Sequence, residues 1–315
     1  MYRIGVDLGG TNIVAGVMDE FYKIISKGKR KTNCPRPAGE ILADIAACVQ
    51  EAVEKAGITM DEVLSIGIGT PGSVNKRMGI IEYANNLGFD KVPARDILSK
   101  YFDKPIYLEN DANCAALGEA VAGAGGNVEN FVMITLGTGV GSGIIVNGKI
   151  VNGCNDAAGE MGHNVIVVDG EPCTCGRKGC WEAYASATAL VRQTKTAMRE
   201  NKDSLMWQIV ENDLEKVNGR TAFDGMRQGD TAAKLVVDKY IKYLSAGIVN
   251  VVNTFQPDVL CIGGGVGCEG EPLLAPVREY VLKERYSIHC GKQTQICSAV
   301  LGNDAGVIGA ALLDE

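Results

Sequence analysis

The chain has 315 residues, 46% hydrophobic and 22% charged. That is the composition of an ordinary soluble globular protein, at a length that calls for about two domains. A net charge of −7 with a pI near 5.1 leaves no basic surface to neutralise a polyanion, which excludes nucleic acid and anionic membrane as expected partners. In chain order, Tyr2 to Val6 reads as a buried strand that ends in Asp7-Leu8-Gly9-Gly10-Thr11-Asn12. Ile13 to Met18 and Ile24 to Lys29 continue as strands, with Lys27, Lys29, Arg30 and Lys31 as a solvated edge. Apolar residues recur with helical spacing from Glu40 to Ala56, and Gly57 stops the helix. Val63 to Ile68 is a strand running into the loop Gly69-Thr70-Pro71-Gly72. Ile106 to Leu108 is a short strand that delivers Glu109-Asn110-Asp111-Ala112-Asn113, followed by a helix from Ala112 to about Ala122.

A second cycle starts at Phe131: a strand, the turn Gly137-Thr138-Gly139-Val140-Gly141, a strand and an Asn147-Gly148 turn. It repeats the N-terminal plan, which predicts an internally duplicated α/β fold with a cleft between its halves. The uncharged run from Asn130 to Gly148 holds five glycines and is a hairpin, not a membrane span. Helices follow from Ser186, as N-cap, to about Glu200 and from Ala232 to Phe255, closed by Pro257. Val259 to Ile262 is a strand leading into Gly263-Gly264-Gly265, and helices close the chain over Glu271 to Tyr286 and Asp304 to Leu313. No secretory signal opens the sequence, so the eleven cysteines are expected in a reducing cytosol, three on a metal and the other eight as mostly buried thiols.

The segment from Ala158 to Glu182 carries the strongest signal. Cys173, Cys175 and Cys180 stand in a C-x-C-x4-C spacing broken by Gly176 and Gly179, with His163 ten residues before the first. Three thiolates and an imidazole complete a tetrahedral zinc shell with no open position, hence a structural ion. The alternative is three buried thiols in a glycine-rich turn beside a core histidine. Glu160 lies three residues before His163, and Glu182 just past the last thiolate; a metal-pinned loop would hold them as rigid acceptors for a polyol. Glu171 reads as solvated, His289 as a core or surface histidine, and Trp181 as packing for the loop.

Asp7-Leu8-Gly9-Gly10-Thr11 and Gly137-Thr138-Gly139 each offer backbone N–H groups and a hydroxyl at a turn, the makings of an anion site. Each alone is also a plain hairpin turn; in matching positions of two half-repeats they read as holding a nucleoside triphosphate. Neither is a P-loop or a dinucleotide fingerprint. Asp7, at a strand end, is placed to hold Mg2+ directly or through water. Asp111 is either a helix N-cap or a general base for a hydroxyl nucleophile.

These residues resemble the ROK family (repressors, open reading frames, kinases). The likeness rests on Asp7-Leu8-Gly9-Gly10-Thr11, Glu109-Asn110-Asp111-Ala112-Asn113, Leu136 to Gly141, Glu160-Met161-Gly162-His163 and Cys173 to Glu182, in the family's order over nearly the whole chain. The resemblance is greatest to its bacterial glucokinases. It implies an actin-like ATPase (ribonuclease H-like) fold of two lobes, one of residues 1–109 plus 301–315 with the first phosphate turn, the other of 110–300. It implies ATP-dependent phosphorylation of the glucose 6-hydroxyl with Asp111 as base, and Asn110, Asp111, Glu160, His163 and Glu182 on the sugar. His163, Cys173, Cys175 and Cys180 would hold zinc. Asp7, Gly9, Gly10, Thr11, Asn12, Thr138 and Gly139 would meet Mg2+ and the phosphates, and Gly264 and Gly265 the adenosine side. A cytoplasmic homodimer or homotetramer is expected. N-acetylmannosamine, N-acetylglucosamine, fructose or allose kinases of the family share the motifs. A sugar-responsive repressor is the other class, disfavoured because the first strand begins at Tyr2 with no winged-helix segment before it. Departures from the family pattern are Ser142 for a usual glycine, Cys114 for alanine and Asn12 for a frequent lysine.

Overall fold

The apolar runs at the N-terminus form strands where the sequence places them: β1 (Tyr2–Leu8), β2 (Asn12–Met18) and β3 (Ile24–Lys31). α1 (Ala38–Ala56) follows, burying Ile41, Ile45, Cys48, Val49 and Ala52 on one stripe and ending at Gly57 in the left-handed region. β4 (Val63–Thr70) leads into a small three-stranded sheet of β5 (Ser73–Asn75), β6 (Ile80–Ala84) and β7 (Phe89–Val92), then α2 (Ala94–Leu98), β8 (Ile106–Asn110) and α3 (Asp111–Ala122). The second cycle is β9 (Phe131–Leu136), β10 (Val140–Val146) and β11 (Lys149–Ile150), with Asn147 and Gly148 both at positive φ in the hairpin turn, as that dipeptide predicts. Then come α4 (Glu182–Ala185), α5 (Ala187–Glu200), α6 (Met206–Ile209), α7 (Thr221–Arg227), α8 (Thr231–Phe255), β12 (Val259–Gly263), α9 (Gly264–Gly267), α10 (Glu271–Glu284), β13 (Gln295–Ser298) and α11 (Ala305–Ala311).

This computed structural model describes residues 1–314, and two five-stranded sheets organise it. The first has the order β3-β2-β1-β4-β8 and the second β11-β10-β9-β12-β13. The two orders are the same plan used twice, so the duplication expected from the sequence is present in the topology. β1 is antiparallel to β2 and parallel to β4, and β4 is parallel to β8. β3 is an edge strand whose lysine and arginine side chains face outward, as its charge run predicts.

The chain forms two compact units. The first takes Met1–Met133, Gly143–Gly159 and the residues from Val300 on; the second takes Ile134–Ser142 and Glu160–Ala299. The sequence reading puts a boundary at 110 and assigns α3 to the second lobe, whereas α3 lies in the first unit. Its partner there is α11. A Cβ on Gly309 of α11 would sit 1.7 Å from the Cys114 carbonyl oxygen, and one on Gly118 of α3 2.3 Å from that of Ala305. Two glycines thus let the helices meet backbone to backbone, which no apolar periodicity announces. The first unit's core is an aliphatic cluster from β1, β2, β4, β8, α1 and the small sheet, including Ile4, Val6, Ile13, Ile45, Val49, Ile66, Ile68 and Leu108.

Candidate functional site

In the first unit, β1, β4 and β8 carry polar residues at their carboxyl ends, the usual place for ligand sites in parallel sheets. The register pairs Asp7 with Gly69, Gly69 with Glu109, and Thr70 with Asn110. Gly69 has no side chain to fill this edge; a Cβ there would lie 3.1 Å from Cys114 Sγ and 3.7 Å from Asp111 Cα. The N-cap of α3 is Asn110, not Asp111. Its Oδ1 accepts from the N–H groups of Ala112 (2.8 Å) and Asn113 (3.2 Å), and its Nδ2 donates to the Gly72 carbonyl (3.1 Å). Asp111 accepts from the Ala112 N–H at 2.8 Å. Burial raises the Asp111 carboxyl above its ordinary range, opposed by backbone hydrogen bonds. Burial, then the charge of Asp111, pushes Asp7 up to about 6. Two carboxylates this close and this desolvated are poised for a cation or a proton.

The turn after β1 is held by its own backbone. The Gly9 N–H donates to the Asn12 carbonyl (2.9 Å), and Thr32 donates through its hydroxyl to Gly9 O (2.6 Å) and through its N–H to Thr11 O (3.0 Å). Gly10 and Thr11 at the tip are exposed, and Asn12 Oδ1 is buried without a hydrogen-bond partner among the described residues.

In the second unit, the turn after β9 is fixed in the same manner. Gly137 donates to Gly139 O (3.0 Å), Ala187 donates to Gly137 O (2.8 Å), and the Thr188 hydroxyl donates to Thr138 O (2.8 Å). Glu182 joins this turn to the cysteine loop. Its Oε2 accepts from the Val140 N–H (3.0 Å), its Oε1 from the Thr174 hydroxyl (3.2 Å) and, at 3.7 Å, from Cys173 Sγ. Glu160 caps a single 3-10 turn, Met161–His163, not a longer helix. That turn is docked by the Ser142 hydroxyl, which accepts from the Met161 N–H at 3.1 Å. Ser142 therefore has a structural use that its departure from the family's glycine does not suggest. Gly264 opens α9 at φ +82, beside the Leu136 backbone, with Gly265 next to it.

The ligand atoms of His163, Cys173, Cys175 and Cys180 all lie within 4.8 Å of one another. Cys175 and Cys180 sulfurs are 3.7 Å apart, and Cys173 Sγ is 3.6 Å from His163 Nδ1. A tetrahedron with Zn–S of about 2.3 Å and Zn–N of about 2.0 Å has S–S edges of about 3.8 Å and S–N edges of about 3.5 Å, so the donor set fits zinc. Without a cation, desolvation and the neighbouring sulfurs of Cys175 and Cys173 push Cys180 up to about 12. The loop closes on Gly179, at φ +77, where a Cβ would sit 1.7 Å from Val167 O. Trp181 is 1% exposed, donates to Tyr243 O (3.1 Å) and packs over Gly247 of α8, a scaffold role as expected. Glu171 pairs with Arg192 at the surface and His289 is exposed. Outside the knuckle Cys48, Cys114 and Cys261 are buried, but Cys154, Cys268 and Cys290 are exposed, which corrects the expectation of mostly buried thiols. Among the described residues no helix is long and apolar enough to cross a membrane.

Two features escape a linear reading. Glu109, fully buried, bonds to Lys76, thirty-three residues away. The Gly72 carbonyl holds Asn110 from a loop legible only as punctuation.

The chain matches the model of the ROK family over residues 3–315. It is 36% identical over 315 residues to a glucokinase of Halalkalibacterium halodurans, covering 99% of this chain and 94% of that one. It is 31% identical to a xylose repressor of Caldicellulosiruptor bescii, over 88% of this chain and 69% of the repressor. Its fold superposes with a TM-score of 0.82 on a ROK family glucokinase from Streptomyces griseus solved with glucose and AMPPNP, 36% identical and covering 99% of both chains.

Proposed function

The chain belongs to the ROK family, and on that premise we propose that it transfers the γ-phosphoryl group of ATP to the 6-hydroxyl of glucose, giving glucose 6-phosphate and ADP. Its fold is α/β of the actin-like ATPase type, as the resemblance implies. The observation that carries the activity is Asp111. It is a carboxylate raised by burial at the head of α3, beside a second raised carboxylate at Asp7, in a chain alike at full length to glucokinases.

Asp111 accepts the proton of the 6-hydroxyl as that oxygen attacks phosphorus. Phosphoryl transfer needs positioning and charge stabilisation more than covalent chemistry, so a fixed base is the protein's main task here. Asn110, Asp111, Glu160, His163 and Glu182 bind the sugar hydroxyls. Asn110 has Oδ1 committed to capping α3, so its contribution comes through the amide nitrogen. Gly10, Thr11, Asn12, Thr138 and Gly139 meet the phosphates with backbone N–H groups and hydroxyls, and Gly9, whose N–H is held by the Asn12 carbonyl, lets the phosphates approach by its lack of a side chain. Gly264 and Gly265 take the adenosine side. Mg2+ near Asp7 would neutralise phosphate charge when bound. Zinc, on His163, Cys173, Cys175 and Cys180, would supply rigidity. His163 ligating through Nδ1 leaves Nε2 for the sugar. A homodimer or homotetramer and a cytoplasmic setting belong to the same proposal.

One experiment tests it: a coupled assay with ATP across glucose, N-acetylmannosamine, N-acetylglucosamine, fructose and allose. Glucose should give the highest kcat/KM. A tenfold preference for another of these sugars would transfer the assignment to that kinase. No turnover with any of them would end the enzyme reading.

A further inference from the structure

Lys76 sits in the turn after β5 and is not an ordinary surface lysine. Its N–H donates to Asp156 Oδ2 (3.1 Å) and its carbonyl accepts from Arg95 Nη2 (2.7 Å). Its ammonium lies 2.6 Å from Oε2 of Glu109, a carboxylate with no solvent exposure. With its amide oriented to satisfy both groups, Asn152 donates to that oxygen (3.1 Å) and accepts from Lys76 Nζ (3.0 Å). The other oxygen of Glu109 accepts from the Asn110 N–H (2.9 Å) and from Asn113 Nδ2 (3.0 Å). Asp111 is flanked on both sides in the chain by residues this one carboxylate holds. The buried Cys114 thiol senses the same groups: burial raises it first, then the charges of Glu109, Asp111 and Asp7, while that of Lys76 opposes them.

We propose that Lys76 is a positioning residue for the phosphoryl transfer: paired with Glu109, it fixes the first turn of α3 and with it the direction of the Asp111 carboxylate. The reasoning is electrostatic. A buried carboxylate is costly without a counter-ion, and the pair with Lys76 keeps Glu109 in place so that one of its oxygens holds both Asn110 and Asn113. Without the ammonium, Glu109 is left as a buried charge with no counter-ion, and its surroundings must shift to relieve it. That shift loosens the strand end and helix start between which Asp111 sits. A base displaced by about 1 Å can cost about a hundredfold in rate. Lys76 comes from one segment of the first unit and Asn152 from another, so the network fastens two distant stretches of that unit to the base.

This inference rests on the sugar kinase reading, and the test keeps the two apart. Lys76→Met, Lys76→Arg and the double variant Lys76→Met with Glu109→Gln are made in the full chain and assayed at a temperature where each is folded. Lys76→Met should lose about thirtyfold or more in kcat with the KM for ATP within about twofold, and Lys76→Arg should stay within about fivefold of wild type. The double variant leaves no unpaired charge and keeps an acceptor for Asn110 and Asn113, so it should recover about tenfold over Lys76→Met. A folded Lys76→Met within about threefold of wild type overturns the proposal, as does a Lys76→Arg equally slow. Should Lys76→Met not fold, the double variant decides, and one that is folded but as slow as Asp111→Asn overturns it. Amide exchange over residues 108–118 reads the anchor with no substrate. It should quicken about tenfold in Lys76→Met and stay unchanged in Lys76→Arg, and equal protection in all three proteins refutes the anchor. A wild type that phosphorylates no sugar would instead sink the kinase reading and leave the exchange result standing.

Discussion

Asp111→Asn is close to isosteric and keeps the acceptor for the Ala112 N–H, so it should fold as wild type while losing the base. A loss in kcat of about 10²- to 10⁴-fold is expected, with the KM for glucose moving less than about threefold; turnover within tenfold of wild type would contradict the role. Asp7 makes a different prediction, on stability. Burial and the Asp111 charge hold it near about 6 in the folded chain, against about 4 for an ordinary aspartate. A raised carboxyl binds its proton more tightly folded than unfolded. The cost of ionising it is therefore fully present above about pH 6, shrinks as pH falls, and is gone below about pH 4. In magnesium-free buffer Asp7→Asn should then stabilise the protein at pH 7.5 by at most about 3 kcal/mol, a gain that fades toward pH 4. Urea melts at pH 4, 5, 6 and 7.5 measure it, and a gain independent of pH would show that Asp7 carries no such penalty. At this scale the sequence was informative about residue type and silent about hydrogen bonds. Asp111 stood out as either a helix N-cap or a general base, but that Asn110 and not Asp111 caps α3 depends on backbone geometry. That Ser142 docks the Glu160–His163 turn depends on a contact nineteen residues away.

The long helices were legible because an apolar stripe and a start or stop signal are local: α1 stopped by Gly57, α5 started by the N-cap Ser186, and α8 up to Phe255. The small sheet of β5 to β7 was not, since three strands of three to five residues are too short for an alternating pattern to rise above chance. α10 ends at Glu284 instead of Tyr286, and Pro276 lies inside it. The contact between α3 and α11 was invisible for another reason, since glycines there act by what they lack. Gly309→Ala would drive a Cβ into the Cys114 carbonyl, where neither backbone can give way. It should cost about 3 kcal/mol or more in a denaturant melt, at the upper end for overpacking. Gly39→Ala is the control. This glycine is near the start of α1, with nothing within 4 Å of an added Cβ and no positive φ, so it should gain about 0.5 kcal/mol. A Gly309→Ala protein as stable as wild type would mean that the helices can slide apart, and that the Asp111 end of α3 is not held by α11.

At the scale of the molecule the duplication was readable from two glycine turns set in matching strand pairs, and the two sheets repeat one strand order. The return of the chain to the first unit was readable, placed at 300/301 and found at Ala299/Val300, but the earlier crossings were not, because two of them fall inside β9 and β10, at Met133/Ile134 and Ser142/Gly143, where no linker composition marks them. The first unit has a large aliphatic core of its own. The stretch from Glu160 to Trp181 has little comparable to rely on. Its secondary structure is one 3-10 turn and two isolated bridges, Val165 with Cys180 and Pro172 with Lys178. Three of the residues assigned to the sugar, Glu160, His163 and Glu182, are attached to that stretch or bonded to it. If four ligands hold it shut, loss of the ion should loosen the sugar residues without unfolding the first unit. Cys175→Ala, or exhaustive chelation, should therefore remove about one zinc per chain and raise the KM for glucose by about tenfold or more, because a structural site's binding energy is also local folding energy. The KM for ATP should change far less, since the first phosphate turn is closed by Thr32 and its own backbone. Metal analysis of the native protein, glucose and ATP titrations of the chelated form, and a near-ultraviolet spectrum reporting on Trp181 separate these outcomes. A chelated protein that binds glucose as wild type does would leave the metal with no part in sugar recognition. A native protein devoid of zinc would mean that the knuckle closes by sulfur and imidazole contacts alone.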